Sequence, residues 1–253
     1  MTQLDQSKRF ALLSSQRSGS TWLISILNQL EDAAAFGELF LYRQRTAEQI
    51  EARFDFDYPR YLETPPSGLS LRPFSVFAYL DQFYDQPGTV GFKLMYSQWR
   101  KYPELLLYFR RRQVRIIHLV RRNHLNVILS RHVKAMTQQA HLITDEKQAP
   151  FTPVELDSAT LLRRLRAQQR MVSTTRQLLR LSGLPSLEVA YEDLVQDPIH
   201  FDSLWNFLGI NPQGQLPQSQ LKKIGTRHHR DVIGNYHQVR TTLLGTPFAH
   251  LLE

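Results

Sequence analysis

Two rhythms of apolar residues alternate along the chain. Nearly unbroken apolar runs occur at 9–15, at 89–95 ("TVGFKLM"), at 114–120 ("VRIIHLV") and at 184–191 ("LPSLEVAY"). Their length and their turn-rich flanks predict buried strands. Between these runs, apolar residues recur every three or four positions, as on one face of a helix. Trp22, Leu23, Ile26, Leu27 and Leu30 show this spacing directly after the first run. Helices are predicted from Ser20 and over 46–53, 74–85, 103–112, 123–140, 158–182, 197–210 and 236–244. Gly183 supplies a C-cap to the long one, and Pro198 sits near the start of another. Strands alternating with helices predict an α/β fold: one parallel sheet flanked by helices, in a single domain over 1–253. The segments 61–73 and 141–157 read as loops.

Composition narrows this little. With 253 residues, 42% hydrophobic and 21% charged, the chain has material for a real core. Cysteine is absent, which excludes a disulfide framework and a thiolate metal site. The N-terminus lacks an apolar signal segment, and no apolar run nears the roughly 20 residues that span a bilayer. A soluble, cytoplasmic protein without membrane insertion is expected. The net charge of +8 favours an anionic partner.

The first strand-to-helix junction gives that partner a place. "LLSSQRSGSTWL" (12–23) passes from an apolar strand into Gln16-Arg17-Ser18-Gly19-Ser20-Thr21 and then into the helix. Free backbone N–H groups and the positive end of the helix dipole converge at such a turn. Gly19 permits close approach, Ser18, Ser20 and Thr21 add hydroxyls, and Arg17 adds a fixed charge. The spacing matches neither a Walker A loop nor a three-glycine dinucleotide loop.

"IIHLVRRNHLNVILSRHVKA" (116–135) repeats the logic: a strand, then Arg121-Arg122, then a helix. Ser130 lies two turns in, on the face of Asn123 and Asn126. A guanidinium and a hydroxyl on one side could share a second anionic group. A solvated Arg and a solvated Ser are the alternative.

Together these segments resemble the PAPS-dependent sulfotransferases. That family carries a 5′-phosphosulfate loop of the type "[KR]-S-G-[TS]-T-W-L", and this chain has "RSGSTWL" at 17–23. It carries a 3′-phosphate motif of the type "R-N-P-x-D-x-x-x-S", and this chain has "RNHLNVILS" at 122–130. It carries "Y-E-D-L-x-x-D-P" ahead of "F-L-G", and this chain has "YEDLVQDP" at 191–198 and "FLGI" at 207–210. The resemblance implies a P-loop-like sulfotransferase core that uses PAPS and releases PAP. Arg17, Ser18, Gly19, Ser20 and Thr21 would hold the 5′-phosphosulfate, with Trp22 and Tyr191 near the adenine. Arg122 and Ser130 would hold the 3′-phosphate. Arg227, in the basic segment "KKIGTRHHR" (222–230), would assist.

The resemblance also implies the catalytic set. The cytosolic branch of the family uses a His in "K-T-H"; here the corresponding strand reads "GFKLMYSQW" (91–99), which keeps Lys93 and lacks the His. The Golgi-type and bacterial glycolipid or natural-product branches use a Glu after the first helix. "AFGELFLYR" (35–43) supplies Glu38 as general base. Glu38, Lys93 and Arg17 are the expected catalytic residues. The acceptor would be a small molecule, a glycolipid or a natural product, sulfated on a hydroxyl, with an amine as second choice.

Other features carry less. "RHHRD" (227–231) does not make a metal site, and none is expected. Arg163, Arg164, Arg166, Arg170, Arg176 and Arg180 make a basic helix face, read as solvated. No stacking aromatics interleave with them, so nucleic acid is not the expected partner. The aromatics of 36–88, such as Phe40, Tyr58, Tyr61 and Phe77, would suit an apolar acceptor or simply a core. Two other function classes stand against sulfuryl transfer: a P-loop nucleotide-dependent phosphotransferase, and a non-catalytic protein that binds anions or nucleic acid.

Overall fold

Five strands carry the fold: β1 (Lys8–Ser14), β2 (Ala33–Glu38), β3 (Thr89–Met95), β4 (Arg115–Val120) and β5 (Ser186–Ala190). In the computed structural model, which describes residues 8–41, 57–64, 71–137, 153–212 and 228–252, they form one sheet in the order β2-β3-β1-β4-β5. Every neighbouring pair is parallel. The helices are α1 (Ser20–Leu27), α2 (Phe74–Phe83), α3 (Tyr96–Lys101), α4 (Glu104–Arg112), α5 (His124–Thr137), α6 (Ser158–Ser182), α7 (Tyr191–Gln196), α8 (Phe201–Leu208), α9 (His229–Val232) and α10 (Tyr236–Leu243).

The chain groups into two compact units. The first takes in Met1–Val120 and Thr175–Gln218, the second Arg121–Thr174 and Ser219–Glu253. The first unit holds the sheet. Successive strand residues point to opposite faces. Phe10 and Leu12 of β1 and Ile117 and Leu119 of β4 therefore share one face. There they meet Leu23, Ile24 and Leu27 of α1 and Leu204, Trp205 and Leu208 of α8. Each such side chain contributes about 1.5–3 kcal/mol by leaving water. In an open parallel sheet the crevice opens at the carboxyl end of the strand where the order reverses, which here is β1.

The second unit is helical. α5, the first part of α6, α10 and the 3₁₀ turn at Ala249–Leu252 bury Leu125, Leu129, Leu161, Leu165, Val239, Leu243 and Leu251. Asn123 caps α5: its Oδ1 accepts from the Asn126 N–H at 3.0 Å, and its Nδ2 donates to the Leu251 carbonyl at 2.9 Å.

Several expectations shift. β2 was not predicted, nor was the short helix α3. The helix expected over 197–210 is a 3₁₀ turn at Pro198–His200 followed by α8, because Asp197 caps the turn through the Ile199 N–H. α5 is described to Thr137 rather than 140. The predicted helix at 46–53 lies outside the described residues, as do 141–152 of the predicted loop and Arg227. Gly183 ends α6 with φ +66°, as a C-cap requires. No helix among the described residues is long and apolar enough to cross a membrane.

Candidate functional site

The loop at the carboxyl end of β1 is built around two left-handed residues. Arg17 has φ 67° and Gly19 φ 85°, so the chain turns sharply twice within three residues. Gly19 is the N-cap of α1 and offers no side chain; no side-chain cap bond is made there and the first turn has no acid. The first intrahelical bond runs from the Leu23 N–H to the Gly19 carbonyl. The N–H groups of Ser20, Thr21 and Trp22 are thus left over by the helix. Ser18 and Ser20 are buried, and the Ser15 and Ser18 hydroxyls lie 2.6 Å apart. The hydroxyl of Ser14, the last residue of β1, is fully buried without a hydrogen-bond partner among the described residues. Leftover donors at a helix start whose first turn carries no acid can receive an anion.

Gly19 is required here on two counts. A Cβ at this φ is strained, and it would sit 2.2 Å from Cδ2 of Tyr191. Tyr191 is buried against the loop, and its ring meets Trp22 edge-on with centroids 5.4 Å apart. Trp22 also leans on Phe201 and packs on the core beneath α1. Both aromatics predicted to lie near adenine thus also brace the loop.

β2 brings in the acid. Between Phe36 and Glu38 its register shifts against β3: Phe36 pairs with Phe92, and Glu38 with the very next residue, Lys93. Gly37 is the extra residue of a bulge. Without it, Glu38 would oppose Leu94. With it, Glu38 stands beside Lys93, and the Lys93 Nζ lies 3.2 Å from Glu38 Oε1. The same Nζ lies 3.4 Å from Thr21 Oγ1 on the phosphate-type loop. The pair is partly buried, at 15% and 20% side-chain exposure, enough to sharpen the attraction while leaving Glu38 reachable. The second oxygen of Glu38 is held by Gln98, whose Nε2 donates to Oε2 at 2.6 Å. Thr21, Glu38 and Lys93, far apart in sequence, thus converge at one sheet edge.

Two features escaped the sequence reading. Gln98 is one. It stands at the third position of α3, where its Oε1 accepts from the Met95 N–H at 2.9 Å. A Gln three residues past a strand end is half of a capping box, the one signal that could have found it. The other is a buried polar chain on the opposite face of β4. Tyr96 and His118 Nε2 are 2.7 Å apart, and His118 Nδ1 is 3.0 Å from Glu188 Oε2. Arg176 forks onto the Glu188 carboxylate at 2.8 and 2.7 Å. Burial pushes the His118 pKa down, so the ring is neutral at pH 7: Nδ1–H donates to Glu188 and Nε2 accepts from Tyr96. Burial raises the Glu188 pKa, but the Arg176 hydrogen bond and His118 outweigh it, and the net shift is downward. Burial raises the Tyr96 pKa. Arg176 therefore does not belong to a purely solvated face, and Arg164 likewise meets His132, at 2.8 Å.

Arg122 and Ser130 belong to the second unit. Arg122 is exposed just ahead of α5, and Ser130 is half-buried in its second turn. Arg227 lies outside the described residues. Of the predicted acceptor aromatics, Phe40 is 1% exposed and packs at tilted and edge-on angles among Tyr61, Tyr79, Phe92 and Tyr102. Its role is packing.

Comparison with known proteins gives the family. A sequence profile described as "Sulfotransferase family" matches residues 10–213. Nodulation protein H of Rhizobium meliloti is 22% identical over 246 residues, covering 96% of this chain and 94% of that protein. Among solved structures, a sulfotransferase from Alicyclobacillus acidocaldarius superposes with a TM-score of 0.50 at 14% identity, covering 97% and 99% of the two chains. A mouse sulfotransferase solved with PAP gives 0.44 at 12% identity, covering 97% of this chain and 87% of that one.

Proposed function

The chain belongs to the sulfotransferase family, and from that premise we propose that it moves a sulfuryl group from PAPS to a hydroxyl of a small-molecule acceptor, releasing PAP. The observation that carries this reading is the meeting of Thr21, Lys93 and Glu38 at the mouth of the phosphate-type loop. Sulfuryl transfer is the family's chemistry; phosphotransfer and non-catalytic binding give way to it.

PAPS is the sulfuryl donor and a substrate. Arg17 and the N–H groups of the first turn of α1 bind its 5′-phosphosulfate, and the leftover donors and the buried Ser14 hydroxyl fit such a group. Glu38 takes the proton from the acceptor hydroxyl as its oxygen bonds to sulfur. The sulfur–oxygen bond to the phosphate breaks, and the electron pair stays on the phosphate oxygen. Lys93 steadies that charge. Arg122 and Ser130 bind the 3′-phosphate. Trp22 and Tyr191 flank the adenine, and Arg227 contributes charge. The acceptor belongs to the glycolipid or natural-product class.

The test is transfer from ³⁵S-labelled PAPS to phenol and to a panel of glycolipids, whose hydroxyls keep their protons at neutral pH, with Glu38→Gln alongside. Labelled product from the wild type and not from Glu38→Gln supports the reading. No PAP release with any acceptor refutes it.

A further inference from the structure

The Glu38 carboxylate is gripped at both oxygens. Lys93 holds Oε1 at 3.2 Å, and the Gln98 Nε2–H holds Oε2 at 2.6 Å. Gln98 is itself oriented without ambiguity. Its Oε1 accepts from the Met95 backbone N–H at 2.9 Å, so the amide nitrogen is the end that faces Glu38. The side chain is 6% exposed and keeps this geometry out of water.

The helix that presents Gln98 is anchored from below. α3 has six residues, too few to hold a shape alone. Tyr96, its first residue, donates to His118 Nε2, whose Nδ1–H donates to Glu188, which Arg176 forks. Strands β4 and β5 thus fix the first turn of α3, and that turn aims Gln98.

A cap on α3 needs only an acceptor for the Met95 N–H. Glu would serve as well as Gln. The amide N–H that reaches Glu38 has no part in capping. We infer that Gln98 is a positioning residue: its amide fixes the Glu38 carboxylate rotamer so that one oxygen lone pair faces the acceptor's proton. This rests on the proposed role of Glu38 as base.

The experiment uses the full chain with PAPS and unsubstituted phenol, whose hydroxyl keeps its proton at neutral pH and so needs a base, and reads PAP release. Gln98→Met removes both bonds. Gln98→Glu keeps an acceptor for the Met95 N–H but gives Glu38 no amide donor. The inference predicts that both variants lose about tenfold or more in kcat, with the KM for PAPS within about twofold of wild type. It further predicts that Gln98→Glu, whose new carboxylate faces Glu38 in place of the amide donor, turns over no faster than Gln98→Met. If Gln98→Glu restores both melting temperature and kcat, capping is the whole role and the inference fails. If Gln98→Met and Gln98→Glu both turn over like wild type, it also fails. Glu38→Gln run in parallel separates the two claims. A fast Glu38→Gln removes the base assignment and this inference with it; a dead Glu38→Gln beside a fast Gln98→Glu removes this inference alone.

Discussion

The ring of Tyr191 fills the space that a side chain on Gly19 would need, with Cδ2 2.2 Å from where a Cβ would stand. This ties the start of α7, near residue 191, to the loop at residue 19. The loop's shape is thus set by a contact from the far end of the unit as well as by its own turn residues.

Gly19→Ala tests that tie. The left-handed φ alone costs about 1 kcal/mol, and the clash adds to it. Weaker PAP binding by at least about tenfold and a lower melting temperature are expected. Adding Tyr191→Leu to the same chain should recover part of the melting loss and little of the binding, because it removes the clash and not the strain. Calorimetric titration with PAP, beside thermal melts, reads both.

Lys93→Met removes the charge between Thr21 and Glu38. Turnover should fall by about 10²–10³-fold, the usual effect of deleting one group that steadies developing charge. PAP affinity should change much less. A rate within fivefold of wild type would show that Lys93 is merely a counterion.

Glu38→Gln keeps the shape and the contact with Lys93, gives up the Gln98 bond and removes the base. A loss of about 10²–10⁴-fold in turnover is expected, with the melting temperature and PAP binding near wild type. Steady-state kinetics with a fixed acceptor checks it.

His118 makes stability depend on pH. Its pKa in the folded protein lies below the ordinary His value of about 6.5, because burial disfavours the charged ring. Its contribution is therefore complete above about pH 6.5. It is lost as pH falls through the folded value, at up to about 1.4 kcal/mol per pH unit. Glu188, held below the ordinary carboxylate range, adds to the loss only at more acid pH, below about 4.5. His132 and His229 shift in the same direction as His118, also chiefly through burial. The comparison is thus between wild type and His118→Gln, which keeps an acceptor for Tyr96 and a donor for Glu188. Urea denaturation from pH 7 to 5 should show a shallower loss for His118→Gln.

What the chain disclosed in advance follows from burial. β1, β3 and β4 are the buried inner strands of a parallel sheet, so they read as apolar runs. β2 did not, because "AAAFGE" is alanine-rich, sits at an edge and breaks at Gly37. The bulge that turns Glu38 toward Lys93 is invisible without the partner strand. Glu38 itself was legible only through the motif "GE". His118 hid inside "RIIHLV", since its partners Tyr96 and Glu188 stand 22 and 70 residues away. Gln98 announced itself only as half of a capping box. The loop, by contrast, was plain from strand, turn and helix alone, because the leftover donors of a helix start follow from local chain geometry.

The central claim is that the site is built for a nucleotide carrying both a 5′ and a 3′ phosphate. Its most direct test is thermal stabilisation of the wild type and Arg122→Ala by PAP, beside AMP, ADP and ATP with Mg²⁺. At about 100 times its dissociation constant, PAP should stabilise the wild type by about 2.7 kcal/mol. The other nucleotides should do much less at the same concentration, and Arg122→Ala should lose most of the PAP effect. Equal or greater stabilisation by ATP with Mg²⁺, or an Arg122→Ala protein that responds to PAP like wild type, would contradict it.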